Sequence, residues 1–246
     1  RQSLYYPDGQ IRDEVYVYGS FIQSPMYRAG VTCSDCHDPH SGSLRAQGND
    51  LCSRCHTPSK FDTQAHHRHG KDSPGAQCVA CHMPSTLYMG IDDRRDHSLR
   101  VPSPDLSKEL GSPNACNGCH ESMSSEWAAK KVNAWFPNGR SRQAHWGNAL
   151  QAGQWSAVDA EARLMSVITN EAVPAIVRAS AISLLPPFAS ERSFAVFPHA
   201  ASDPDPLVRV AAVEALESFP AQMRVEWVAK RLDDPMRSVR FEAARV

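Results

Sequence analysis

The chain has 246 residues, room for one large domain or two smaller ones, and its 26 Lys+Arg against 27 Asp+Glu give a formal net charge of −1. That balance leaves no basic field for nucleic acid, and no run approaches the roughly 18 apolar residues of a membrane-spanning helix. The opening Arg1-Gln2-Ser3-Leu4 lacks the charged, apolar and small-residue regions of a secretion signal, so any such signal is expected to have been removed, or the chain to be a piece of a longer one.

Taken from the start, Tyr5-Tyr6-Pro7-Asp8-Gly9-Gln10 reads as a turn. Val15-Tyr16-Val17-Tyr18-Gly19 reads as a short strand, or as an aromatic strip packing on the groups carried by the next segment. The 8 cysteines follow, all in Cys-x-x-Cys pairs, each pair followed at once by His. The motifs are Cys33-Ser34-Asp35-Cys36-His37, Cys52-Ser53-Arg54-Cys55-His56, Cys78-Val79-Ala80-Cys81-His82 and Cys116-Asn117-Gly118-Cys119-His120. Zinc ribbons also pair Cys-x-x-Cys, but zinc gives no reason for a His after every pair. A thioredoxin-like redox pair expects a strand–helix context that these loops lack. The spacing instead fits c-type haem: two thioethers to the porphyrin vinyl groups, with the adjoining His as proximal iron ligand. Four covalent haems are thus expected, with His37, His56, His82 and His120 proximal.

The other histidines are candidates for the second axial position. In Cys36-His37-Asp38-Pro39-His40 the proline stiffens the turn and aims His40 away from its own haem, toward a neighbouring one. The cluster His66-His67-Arg68-His69 lies in a polar loop; one member is expected to ligate, with His69 or His67 favoured over His66. His97, in Asp96-His97-Ser98, is a further candidate. Met26 is a weaker alternative whose thioether would raise the potential, with Met83 and Met89 behind it. His145 and His199 fall in the helical second half and read as structural or surface residues.

Between 33 and 122 the chain is rich in Gly, Pro, Ser, Asp and His, with almost no periodic apolar segment. Such a stretch does not bury enough side chain to fold alone, so the attached haems are expected to form its core. After residue 123 the composition changes. Ser124 to Phe136 reads as a serine-capped amphipathic helix with Trp127, Val132, Trp135 and Phe136 as its apolar stripe, ending at Pro137-Asn138-Gly139. Helical patterns resume at about 141–152 and 155–169. Val177-Arg178-Ala179-Ser180-Ala181, Val208-Arg209-Val210-Ala211-Ala212 and Val239-Arg240-Phe241-Glu242-Ala243 then recur every 31 residues, with Asp203-Pro204 and Asp234-Pro235 ahead of the second and third copies. That period indicates an α-solenoid of HEAT-like repeats. The third copy has no polar cap, so further sequence or a partner is expected to cover that end. The fold expected is mainly α with much irregular loop: a haem-cored cytochrome c domain at 1–122 and a helical, HEAT-like domain at 123–246.

Gly30-Val31-Thr32-Cys33, Cys81-His82-Met83-Pro84, Asp96-His97-Ser98-Leu99-Arg100-Val101-Pro102 and Asn114-Ala115-Cys116 together resemble motifs of the multihaem superfamily of pentahaem nitrite reductase, hydroxylamine oxidoreductase and octahaem cytochromes. The likeness covers roughly residues 14–136, and it is nearest to multihaem proteins with helical repeats behind the haem domain. It implies that His97 is a distal ligand and that haems pack in parallel and perpendicular pairs. It also implies further haem-bearing sequence or protomers. Two departures stand out. The chain carries no Cys-x-x-Cys-Lys motif, the mark of the catalytic haem of nitrite reductase, and Met26 stands where that family has a distal His.

These readings favour electron transfer to redox partner proteins, with the repeats as a docking platform. The alternatives are a reductase of small nitrogen or sulfur compounds with one open iron, and a subunit of an extracellular cytochrome filament. Thioether attachment takes place outside the cytoplasm, which points to the periplasm or cell surface of a Gram-negative bacterium.

Overall fold

The computed structural model describes residues 4–137 and 145–246, mostly as helix, in two compact units whose boundary falls between the Ser125–Trp135 and Trp146–Gln154 helices. The expected division at 122/123 therefore shifts, and the Ser125–Trp135 helix belongs to the first unit. It packs on the Pro104–Leu110 helix, burying Ala128 and Val132 near Leu106 and Leu110. Its start is the expected one, with Ser124 Oγ accepting from the Trp127 N–H. Asn138 and Gly139 of the expected stop, and the start of the pattern at 141, lie outside the described residues.

In the first unit the first and third motifs form single helical turns, Cys33–Cys36 and Cys78–His82, the second begins in the Asn49–Ser53 helix, and the fourth is a hydrogen-bonded turn, all separated by loops. Buried apolar side chains are few: Ile11, Phe21, Ile22, Ala76, Tyr88, Leu106, Leu110, Ala128 and Val132. The strand at Val15–Gly19 is not formed. Tyr18 instead opens a one-turn helix to Phe21, and Tyr16 is 89% exposed with no neighbouring strand to pair. A hairpin that the sequence reading missed joins Ser85–Tyr88 to Asp92–Arg95, antiparallel, with Ser85 opposite Arg95. Its turn puts Met89 (φ 50) and Gly90 (φ 75) both in the left-handed region, the conformation that matches strand twist in a tight hairpin.

The second unit has a continuous apolar core. The helices Ala175–Leu184, Pro206–Leu216 and Arg237–Arg245 pack side by side, and they carry the repeated Val-Arg element. Val177, Val208 and Val239 are buried at equivalent places, as are Ala181, Ala212 and Ala243, whose small side chains let neighbouring helices approach. Phe194, Phe197 and Phe219 pack with ring centroids 5.0 to 6.3 Å apart. The buried arginines of the repeat are paired across it. Arg209 makes a bidentate bond to Asp234 through Nε and Nη2 at 2.8 and 2.9 Å, and Arg178 pairs with Asp203 one repeat earlier through Nη1 and Nη2. Each Asp-Pro turn is also held from behind: Arg209 donates to the carbonyls of Asp203 and Pro204, and Arg240 to those of Asp234 and Pro235.

Candidate haem-binding site

Each motif closes on itself. The His37 N–H donates to the Cys33 carbonyl at 2.8 Å, and His56 and His120 do the same to Cys52 and Cys116 at 2.9 Å. One helical turn sets residues i, i+3 and i+4 on a single face, so both sulfurs and the imidazole of a motif point the same way. All eight cysteines are free and at least partly exposed. Burial first, then the nearby Cys52, pushes the Cys78 thiol up to about 11, and burial also raises Cys36, Cys81 and Cys116. Consecutive motifs are neighbours: Cys36 and Cys78 each lie near Cys52, and Cys81 lies near Cys116 and Cys119. Asn49 ties two of them, its Oδ1 accepting from the Cys78 N–H at 2.8 Å while its Nδ2 donates to the Ala76 carbonyl at 3.0 Å.

Three of the motif histidines face a second imidazole. His37 and His97 have ring centroids 6.4 Å apart, His82 and His66 6.2 Å, and His120 and His69 6.2 Å, with interplanar angles of 26°, 11° and 33°. A ligating imidazole nitrogen sits about 2 Å from the metal and about 1.1 Å from its own ring centroid, so two rings on opposite faces of one iron have centroids about 6 Å apart. Direct ring stacking would bring them closer. The three gaps therefore have the width of one metal ion.

Backbone carbonyls orient these rings. The Nδ1–H of His37 donates to the Gly42 carbonyl at 2.9 Å, and that of His82 to the Arg100 carbonyl at 2.8 Å. On the opposite side His97 donates to Arg95 at 2.9 Å and His69 to His67 at 2.5 Å. Fixing the proton on Nδ1 leaves the Nε2 lone pair for a metal, the usual second-shell arrangement of a ligating histidine. His66 is held below the usual histidine range by burial first and then by the charges of His82, His67 and Arg68, which favours the neutral, ligating form.

Local backbone explains how two rings of the cluster face motif histidines, where a single ligand was expected. His66 lies in the Gln64–His67 helical turn, flanked by Phe61 at 5.5 Å and Phe136 at 6.0 Å. Arg68 then takes a left-handed conformation (φ 63), which ends the turn and sends His69 in another direction. The ring of His69 rests on Gly75, where a Cβ would lie 2.4 Å from Cδ2. His67, favoured from sequence over His66, instead uses Nδ1 to accept the His69 N–H at 3.2 Å. For His97 the device is the missed hairpin, which delivers the 95–100 segment opposite the first motif. Trp127, 5.0 Å from the His120 ring, adds an aromatic wall beside the fourth.

Among the described residues, His40, His56, His67 and Met26 enter none of these facing pairs. His40 is exposed in a turn braced by Asp38, whose carboxylate accepts from the N–H groups of His40 and Ser41. His56 is exposed, with Phe61 edge-on at 5.7 Å. Met26 is half-buried in the Pro25–Arg28 turn, and its carbonyl accepts from Val31. His145 caps the Trp146–Gln154 helix by accepting from the Gly147 N–H, and His199 is exposed, both in line with the sequence reading.

Among the described residues no three His, Cys, Asp or Glu side chains converge on one point, as a tetrahedral zinc site requires. A metal already held in a porphyrin plane needs only two axial protein ligands, which is what the facing imidazoles offer. Residues 25–61, spanning the first two motifs, match the doubled CXXCH motif family, and residues 162–246 match HEAT repeats. No curated protein matches the chain. The doubled motif indicates covalent c-type haem attachment, and no helix among the described residues is long and apolar enough to cross a membrane.

Proposed function

We propose that the chain is an electron-transfer protein that holds four c-type haems, with Cys33/Cys36, Cys52/Cys55, Cys78/Cys81 and Cys116/Cys119 as attachment points and His37, His56, His82 and His120 as proximal ligands. The observation that carries this reading is the set of facing imidazole pairs at 6.2 to 6.4 Å. His97, His66 and His69 take the second axial positions of the first, third and fourth motifs. When bound, the haems supply one-electron redox chemistry at low potential, because two imidazoles rather than Met and His hold each of these irons. The protein's own part is to fill both axial positions of these three irons, so that no substrate displaces a ligand there and little rearranges on reduction. The proximity of Cys36, Cys52, Cys78, Cys81 and Cys116 supports sequential exchange along the chain.

The HEAT repeats read as the docking platform for redox partner proteins, since stacked helical pairs expose an extended surface. Thioether attachment occurs outside the cytoplasm, so we place the protein in the periplasm or at the cell surface.

The test is haem quantification by pyridine haemochrome together with low-temperature EPR of the oxidised protein. Four haems with at least three low-spin irons is the expected result. Fewer haems, or two or more high-spin irons in the intact protein, would sink the reading.

A further inference from the structure

Asn49 uses its side-chain amide in full. Its Oδ1 accepts from the Cys78 N–H at 2.8 Å, and its Nδ2 donates to the Asp62 carboxylate at 2.9 Å and to the Ala76 carbonyl at 3.0 Å. A primary amide carries two N–H donors, so both are engaged. The residue opens the Asn49–Ser53 helix, which carries Cys52, while its partners lie on the stretch that leads from the second motif into the third. We propose that Asn49 is the positioning residue for electron exchange between the second and third motifs, holding their two haems at one fixed separation. This rests on the haem-binding reading above.

The clamp acts first on the attachment points. Asn49 precedes Cys52 by three positions, on the same face of one helical turn, so its amide and that sulfur move together. At its other end the amide grips the backbone of Cys78 itself. The sulfurs are correspondingly close, with the Cys78 thiol within hydrogen-bond reach of Cys52. Each sulfur anchors the edge of a porphyrin, so neighbouring sulfurs bring two porphyrin edges together. The exchange itself moves one electron, oxidising one iron and reducing the other, with no bond or proton changing hands. Its rate falls steeply with the gap between edges, and a side chain that fixes both ends of the gap fixes the rate.

The bond to Asp62 extends the clamp to the imidazoles. Asp62 follows Phe61, whose ring stands edge-on to His56 of the second motif at 5.7 Å and to His66 at 5.5 Å. His66 in turn faces His82 of the third motif. Phe61 is thus a wedge between a ring of one motif and the ring opposite the other, and the Asn49–Asp62 bond keeps that wedge in register with the sulfurs. Ala76 closes the third corner, buried in the Pro74–Ala76 turn that packs on the Cys78–His82 helix.

The experiment uses the full haem-loaded chain as wild type, Asn49→Ala, Asn49→Asp and the double variant Asn49→Asp/Asp62→Asn. Haem content is read by pyridine haemochrome and spin state by EPR. Haem–haem geometry is read by the exciton couplet in Soret circular dichroism and by the width of a potentiometric titration. Close haems split the Soret signal, and reducing one disfavours reducing its neighbour, which spreads the titration. Asn49→Ala is expected to keep the wild-type haem content and spin state while losing couplet amplitude and narrowing the titration. Asn49→Asp sets a carboxylate against Asp62 and is expected to show the same loss. The double variant restores an amide–carboxylate pair with donor and acceptor exchanged, keeps an acceptor for the Cys78 N–H, and is expected to recover both signals. A merely structural role would lower the melting temperature of the variants without moving either signal. A single variant that carries four haems with the wild-type couplet and titration width would overturn the proposal, as would a double variant no better than Asn49→Asp. If Asn49→Ala fails to load four haems, Asn49→Asp and the double variant decide the matter between them. A wild type with fewer than four haems, or with two or more high-spin irons, marks failure of the haem-binding reading instead.

Discussion

The carboxylate of Asp96 accepts from Arg100 Nε at 3.1 Å, and this one pair braces imidazoles beside two different motifs. Asp96 is followed by His97, which faces His37, while the Arg100 carbonyl accepts from Nδ1 of His82. Asp96 Oδ1 also accepts from the Ser98 N–H at 2.9 Å, which closes the loop between them. The pair is largely buried, so the loop depends on it more than on an exposed ion pair.

Asp96→Ala should therefore loosen His97 first. Because the His97 Nδ1–H keeps its own acceptor, the Arg95 carbonyl, the loss acts through the loop rather than by removing the ring's partner. The expected result is high-spin character at the iron of the first motif, read by EPR, with a smaller shift in the potential of the third. An unchanged spectrum would show that His97 is held without the Asp96–Arg100 brace.

Gly75 makes a sharper test of the fourth motif. A methyl group at this position would sit 2.4 Å from His69 Cδ2 and 2.6 Å from Cγ, closer than atoms approach, so the imidazole must move away from His120. Gly75→Ala should convert one iron to high-spin and leave the haem count at its wild-type value. Gly70→Ala is the control, since a Cβ there meets nothing within 4 Å. If both variants keep the wild-type spectrum, His69 does not fill that position.

The two adjacent histidines of the cluster should behave differently. His66→Ala removes the ring that faces His82 at 6.2 Å and should give one high-spin iron that free imidazole restores to low-spin. His67→Ala removes only an acceptor for the His69 N–H, at a cost of about 1 kcal/mol, and should leave every iron low-spin. The reverse outcome would return the assignment to His67.

What was readable beforehand follows from how local each feature is. The attachment points are set within five consecutive residues, so spacing alone reveals them, and a period of 31 residues reveals the repeats in the same way. The facing imidazoles depend on backbone events with weak sequence signals. The left-handed Arg68 separates His66 from His69, and the hairpin with its Met89-Gly90 turn aims His97. Neither has the Asn-Gly signature that makes such turns easy to read. His97 stands out in the sequence as a candidate in Asp96-His97-Ser98, and the Asp96–Arg100 pair gives a physical reason for where the fold places it. The 31-residue period likewise gave Arg178 and Arg209 their places, but their pairing with the aspartates of the following Asp-Pro turns needed the fold.

That pairing makes the stability of the helical unit depend on acid. Hydrogen bonds from Arg209, then the Met236 N–H, hold the Asp234 carboxyl below the usual carboxylate range. A carboxylate whose folded pKa is depressed adds stability that is complete above its unfolded value, about 3.9, and is lost as pH falls through the folded value. Wild type should therefore melt at a steady temperature above about pH 5 and lose stability progressively below about pH 4. Arg209→Ala leaves the buried Asp234 carboxylate with only the more distant Arg231, 3.8 Å away, and should cost up to about 3 kcal/mol at neutral pH. With the depressed pKa gone, protonation of Asp234 relieves the variant rather than harming it, so the gap to wild type should narrow as pH falls. Thermal melts followed by far-ultraviolet circular dichroism across this range would read both effects. A gap that stays constant with pH would mean that Arg209 stabilises the repeat through its bonds to the Asp203 and Pro204 carbonyls rather than through Asp234.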